Sequence, residues 1–337
     1  MDIIGDLAGL GDTSETVEKR FTVSGMPRVR VSNVSGETRI RADQPGTVFV
    51  RARIRIRGML GDRAKRILEN VEVGMRQDGD EILIEPRLYQ QERGWLDLFR
   101  GGGVVVDLDI LTPRESQLEV TTVSGEVGVT GTRGPVEIRS ASGEVSIEDV
   151  QGPLRLRSVS GDLGVSEHAG LLDANSVSGD LEVRRSRVRL GDIVTVSGDV
   201  GIEAVLSDPR QESRVRTVSG DVELSLAEGA FEIEQKTVSG DLDVDDDLRA
   251  RVERPDRRDR RVAIGQGGAR LRVKSVSGDL SLRRSGEPAQ RADEATEETP
   301  PAAPEPPADA AKDVLARLAR GEIGVDEAAA ALDAAKR

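Results

Sequence analysis

The sequence has 337 residues, a formal net charge of −13 and no cysteine, and its residues are 36% apolar but only 2% aromatic. The charge excludes a general nucleic-acid binder, whose phosphate contacts need a basic surface, and the lack of cysteine excludes disulfides, thiol nucleophiles and thiolate metal sites. No apolar run approaches the ~18 residues of a membrane-spanning helix, and with so few aromatics any core must be built from Val, Leu, Ile and Ala, which suits thin layers.

The opening "MDIIGDLAGLGDTSETVEKR" has neither a basic n-region nor a continuous apolar h-region, which is not the pattern of a secretory signal. Residues 1–16 read as a flexible N-terminus, and the expected location is the cytoplasm or the periphery of a membrane. Residues 17–112 read as a β-rich cap. "VFVRARIRIRG" alternates strictly: Val48, Val50, Ala52, Ile54 and Ile56 face one side, and Arg51, Arg53, Arg55 and Arg57 the other. Such an arginine face either meets an anionic surface or glycan, or pairs with acids on neighbouring strands. "RAKRILENVEV" has helical spacing at Ile67, Leu68 and Val71 before strands resume, and Gln77-Asp78-Gly79-Asp80 is a hairpin turn. "YQQERGWLDLFRGGG" holds the only Trp and the only Tyr. Trp95, Leu96, Leu98 and Phe99 are candidates for contact with a membrane interface or a partner groove; the alternative is that they plug the end of the fold.

From residue 113 to 284 one phrase recurs. Ser-Gly pairs fall at Ser124, Ser142, Ser160, Ser178, Ser197, Ser219, Ser239 and Ser277, in steps of 18, 18, 18, 19, 22, 20 and 38. A fixed period near 20 is the signature of a solenoid. Two and four places before each Ser stand residues such as Thr122 and Val120, or Thr217 and Val215. Three and five places after it stand Val127 and Val129, or Val222 and Leu224. Each arm alternates with period 2, so each is a strand, and the two arms are out of phase by one residue, which means a bend between them. Gly125, Gly143, Gly161, Gly179, Gly198, Gly220, Gly240 and Gly278 therefore read as structural corners. Gly134-Pro135 and Gly152-Pro153 mark a second corner.

The expected fold is all-β: a single-stranded parallel β-solenoid (β-helix) with an N-terminal β-rich cap and a small C-terminal helical hairpin. Its coils would repeat every ~4.8 Å. The acid after each glycine points outward, giving a column of Glu126, Glu144, Asp162, Asp180, Asp199, Asp221, Asp241 and Asp279. That column either binds cations or is a structural ladder, relieved by backbone N–H groups and by the neighbouring column of Arg139, Arg157, Arg216, Lys236 and Lys274. The arginine-rich segment 249–261 reads as an exposed insertion. Residues 285–310 form a Pro/Glu/Ala linker without core-forming residues. In 311–337 two short helices present Val314, Leu315 and Leu318, then Ile323, Val325 and Leu332, as a docking face for a protein partner or for self-association.

Taken with "FTVSGMPRVRVSNVSGETRIR", "VVVDLDILTPRESQLEVTTVSGEV" and "SVSGDLSL", the reiterated Thr-Val-Ser-Gly-Asp resembles the bacterial putative-adhesin family, a β-solenoid domain. "VLARLARGEIGVDEAAAALDA" looks like the SHOCT-like helical module. The resemblance implies an adhesin-like scaffold connected with the bacterial cell envelope or membrane stress, with no catalytic residues to carry over. Chemistry points the same way. His168, the sole histidine, sits in the turn "SEHAG"; "GGG" at 101–103 and "GQGG" at 265–268 lack the setting of a phosphate loop; the repeated carboxylates define no unique acid–base pair. No enzyme, cofactor or metal site is expected. The alternatives are a polymer-forming β-helical structural protein and, behind it, a carbohydrate-active enzyme.

Overall fold

The computed structural model describes residues 13–284, apart from 44, 58–60, 89–102, 227–229, 249, 254–258 and 266–267. The described chain is all-β apart from one short helix and a single 3-10 turn. It divides into two compact units, Met1–Arg157 with Gly161–Gly170, and Ser158–Ser160 with Leu171–Arg337.

The first unit begins with β1 (Thr13–Thr22), β2 (Arg28–Ser35), β3 (Thr38–Ala42), β4 (Thr47–Ile56), α1 (Asp62–Glu69), β5 (Val71–Asp78), β6 (Glu81–Leu88) and β7 (Val104–Thr112). It continues with β8 (Gln117–Ser124), β9 (Val127–Thr130), β10 (Val136–Ser142), β11 (Val145–Glu148), β12 (Leu154–Ser160), which runs on into the other unit, and β13 (Leu163–Ser166). The expected alternation is seen as burial. Val120, Thr122, Val127 and Val129 point inward, as do Ile138, Val145, Ile147, Leu163 and Val165. Successive arms stack in parallel without slippage: β10 on β8 with Ile138 opposite Val120, and β11 on β9 with Val145 opposite Val127. Each inward column is thus a row of like aliphatic side chains, and each fully buried Val, Leu or Ile contributes about 1.5–3 kcal/mol.

The N-terminal segment does more than cap. β2 and β3 are themselves two arms around a Ser35-Gly36 corner, and they pair in parallel with β8 and β9. On their other side they pair in parallel with β6 and β7. The first coil in sequence is therefore second in the stack. The outer coil is covered by antiparallel strands: β5 on β6 through a turn in which Gly79 has φ 59°, and β4 on β7 with β1 beyond it. Antiparallel cover of this kind blunts an otherwise open parallel edge. The helix predicted at "RAKRIL" is α1, with Asp62 in its first turn, Arg66 in its last and Ala64 buried.

The second unit contains β14 (Ala169–Ser178), which starts in the first unit, β15 (Leu181–Ser197), β16 (Val200–Leu206), β17 (Glu212–Arg216), β18 (Val222–Leu226), β19 (Phe231–Lys236) and β20 (Leu242–Val244). β21 (Arg251–Glu253), β22 (Asp259–Ile264), β23 (Ala269–Lys274) and β24 (Leu280–Arg284) complete it. In β15 the second corner is a register shift between Val183 and Ser186, where Arg185 takes φ 47°, rather than a Gly-Pro.

The 38-residue step proves to be a reversal. β17 does not pair with β19; β23 lies between them, parallel to both. β24 likewise lies between β18 and β20. The last coil in sequence is again second in its stack. Part of the segment expected as an exposed insertion supplies the cover: β22 runs antiparallel on the outer edge of β19, and β21 on β22.

Candidate functional site

The recurring phrase is the feature from which a site must be built, and each of its residues has a local task. Gly125 has φ 146°, and a Cβ there would lie 2.0 Å from the carbonyl oxygen of Gly36 on the adjacent coil. At Gly278 the same atom would lie 2.1 Å from the Gly220 oxygen. No L side chain fits such an approach, so glycine is required by proximity as well as by conformation. Two places before the Ser, a hydroxyl donates to the Ser carbonyl of its own corner: Ser176 Oγ to Ser178 O at 3.1 Å and Thr237 Oγ1 to Ser239 O at 3.0 Å. At another corner the Ser carbonyl accepts from a stacked glycine instead, Gly198 N to Ser219 O at 3.2 Å, and there the Thr217 hydroxyl makes no hydrogen bond among the described residues.

The acids point outward and are exposed, as expected. In the second unit they form a continuous ladder. Asp199 N donates to Asp180 Oδ1 (2.8 Å), Asp221 N to Asp199 Oδ1 (2.8 Å), Asp279 N to Asp221 Oδ1 (2.7 Å) and Asp241 N to Asp279 Oδ1 (2.7 Å). Each carboxylate satisfies the backbone amide of a neighbouring corner, which offsets the repulsion along the column. In the first unit the column carries Asp162 and also Glu126 and Glu144, whose chains are one methylene longer. Among the described residues no group of three or more His, Asp or Glu is placed to hold a metal ion.

The cationic column lies on the strand face before the corner and is partly neutralised. Arg139 meets Glu137 at 2.7 Å and Glu119 at 3.6 Å, and Arg157 reaches Glu137 at 3.8 Å. In the second unit Lys236 sits 3.1 Å from Glu234, which also meets Arg272 at 3.0 Å. The Lys236 ammonium and the Arg272 guanidinium hold the Glu234 carboxyl below the ordinary glutamate value, and Glu234 raises Lys236 in return. The outward residue just before the Ser was given no role by sequence. Val218, Val276 and Val238 are 47%, 49% and 60% exposed. On β10 and β12 the same place holds Ala141 and Val159, which are buried, so its phase with the outward cations does not by itself signal exposure.

The arginine face on β4 lies between two acid-bearing strands. Arg51 pairs with Glu18 at 2.7 Å and stacks over Phe49, and Arg55 meets Asp107 at 2.5 Å. Arg53 stands opposite Asp107 in register, and Arg57 is exposed beyond the strand end. His168 lies in a turn but points inward; it is buried at the second corner, with Nδ1 2.8 Å from the carbonyl oxygen of Val150. Trp95, Leu96, Leu98 and Phe99, and the helical face of Leu315, Leu318, Ile323, Val325 and Leu332, lie outside the described residues. The structure brings the corner glycines together in columns, Gly125, Gly143 and Gly161 in the first unit and Gly179, Gly198, Gly220, Gly278 and Gly240 in the second.

Among solved structures the chain is similar to a putative adhesin from Bacteroides fragilis, with 11% identity, 79% of this chain and 97% of that one covered, and a TM-score of 0.41. It is also similar to a putative lipid binding protein from Parabacteroides distasonis (13% identity, 81% and 95% covered, TM-score 0.43). No curated protein matches it. The model of the family described as Toastrack DUF4097 matches residues 107–204 and 173–283, two overlapping stretches that span the recurring corners and cover just over half of the sequence. The chain belongs to the Toastrack DUF4097 family.

Proposed function

We propose that this chain is a non-catalytic scaffold that binds surface molecules of the bacterial envelope, an adhesin-like role. In this reading its stacked coils form a parallel β-solenoid that works in the cytoplasm at the membrane periphery. The C-terminal SHOCT-like hairpin recruits a protein partner or a second copy. One observation carries the non-catalytic reading: in the Asp180–Asp241 ladder every internal carboxylate is already engaged by a backbone amide. Such acids hold corners in place, while the faces beside them repeat outward side chains at one-coil spacing, an arrangement suited to multivalent contact. Antiparallel cover on the outer coils favours this scaffold over end-to-end polymerisation.

The test is co-sedimentation of the full chain with isolated bacterial envelopes, with soluble products assayed in the supernatant. Retention without released fragments is expected. Failure to sediment, or release of sugar or peptide fragments, contradicts the reading. Pull-downs with and without residues 311–337 test the recruiting role, and equal recovery of partners by both would remove it.

A further inference from the structure

On one face of the second unit the outward rows of β17, β23 and β19 change character towards the corner. In register, Arg214 stands opposite Arg272, and Arg216 opposite Lys274, which is in turn opposite Lys236. Two places on, nearer the corner, come Val218, Val276 and Val238, all about half exposed. A depression of about 300 Å³ is lined by Arg214, Arg216, Arg272 and Lys274 alone. A contiguous groove of about 580 Å³ runs past Arg216, Lys274 and Lys236 to the three valines.

The charges are not used up locally. Arg214 and Arg216 share the single Asp192 carboxylate at 3.6 and 3.8 Å, distances longer than a hydrogen-bonded pair. Lys274 makes no ion pair with any described residue. Asp259 is the one carboxylate lining the groove, and it is 3.7 Å from Lys236. Five cations thus face three carboxylates (Asp192, Glu234 and Asp259) on a chain whose net charge is −13. The acid ladder of Asp199, Asp221, Asp279 and Asp241 belongs to the next arm, beyond the corner.

A cationic row beside an exposed apolar row, both fixed to a parallel sheet, matches an anionic headgroup beside the acyl chains beneath it. We infer that this face is a docking surface for the anionic phospholipids of a bilayer, with Arg214, Arg216, Arg272 and Lys274 taking the phosphate and Val218, Val276 and Val238 entering the interface. This rests on the scaffold reading above and names its ligand.

Flotation of the full chain with vesicles tests it. Vesicles of phosphatidylcholine alone are compared with vesicles in which about a third of the lipid is phosphatidylglycerol, a fraction that gives the surface a substantial negative potential. Binding to the anionic vesicles is expected to exceed binding to neutral ones by roughly tenfold and to fall with salt. Arg216→Glu/Lys274→Glu should lower it by roughly tenfold or more. Val218→Ser/Val276→Ser/Val238→Ser should weaken it several-fold and remove what persists at high salt. Both variants keep the core residues, and an unchanged melting temperature shows that they fold; Arg53→Glu on the other arginine face should bind as the parent does. Equal binding by parent and charge-reversal variant overturns the inference. So does competition by millimolar inorganic phosphate, which would make the site one for a soluble anion. Self-association abolished by the valine changes, without vesicle binding, would assign the face to a second copy. If vesicles fail while envelopes still retain the chain, the lipid assignment falls alone; if both fail, the scaffold reading falls with it.

Discussion

At Gly143 a methyl group would stand 2.1 Å from the carbonyl oxygen of Gly125, with φ at 118°. Gly128, three residues beyond Gly125, has an ordinary strand conformation and nothing within 4 Å of its virtual Cβ. The two glycines separate proximity from composition. Gly143→Ala should lower stability by roughly 2–4 kcal/mol through strain and displaced backbone, while Gly128→Ala should stay within about 0.5 kcal/mol of the parent. Urea unfolding midpoints read both, and similar losses at the two positions would deny the corner its special role. The Thr and Asp of the phrase carry smaller terms. Thr237→Val removes the 3.0 Å bond to Ser239 O and should cost about 1 kcal/mol. Asp221→Ala leaves the exposed Asp279 amide to water and should cost about 0.5–1.5 kcal/mol.

Among the elements, β19 and β23 show how charge and order combine. Glu234, held below its ordinary pKa by Lys236 and Arg272, stabilises the folded chain above the ordinary glutamate value, and that contribution is lost as pH falls through the lowered pKa. Lys236, raised, contributes below the ordinary lysine value and loses its contribution as pH rises through the raised pKa. Glu234→Gln should therefore flatten the acid limb of a stability–pH curve, and more so in low salt than in high, because Lys236 is exposed and Glu234 is not fully buried. An unaltered acid limb would show that the pair is not coupled to folding.

The arms, corners and outward columns were legible in the sequence because period 2 and a fixed glycine encode them locally. The stacking order was not. All corners carry nearly the same phrase, so any coil can pair with any other. Order is decided by β22, whose antiparallel pairing occupies the outer edge of β19 and leaves the inner edge for β23. The same holds for Ser35-Gly36, a legible corner whose neighbours lie far along the chain. Ending the chain after Gly268 would remove β23 and β24, bare one edge of β17 and β18, which keep β15 and β16 on the other, and leave β19 and β20 without a parallel partner. That truncation should aggregate through the bared edges, as light scattering would report; a monomer with undiminished strand content by circular dichroism would argue that the last coil is dispensable.

Across the molecule, both units follow one scheme. The coil nearest a chain terminus lies inside its stack, and strands from an excursion cover the outer face. Within each unit, a coil so placed cannot fray without opening two parallel interfaces. The absence of native cysteine makes this order directly measurable. Exposed corner serines on adjacent coils are joined by parallel bridges, Ser219 with Ser277 and Ser277 with Ser239. Neighbouring coils hold such Cα atoms ~4.8 Å apart, within disulfide reach, whereas coils two apart are separated by more than the ~7 Å limit. The decisive measurement is oxidative cross-linking of three double-cysteine chains. Ser219→Cys/Ser277→Cys and Ser277→Cys/Ser239→Cys should form internal disulfides readily, and Ser219→Cys/Ser239→Cys should not. A disulfide between 219 and 239, with none to 277, would contradict the account.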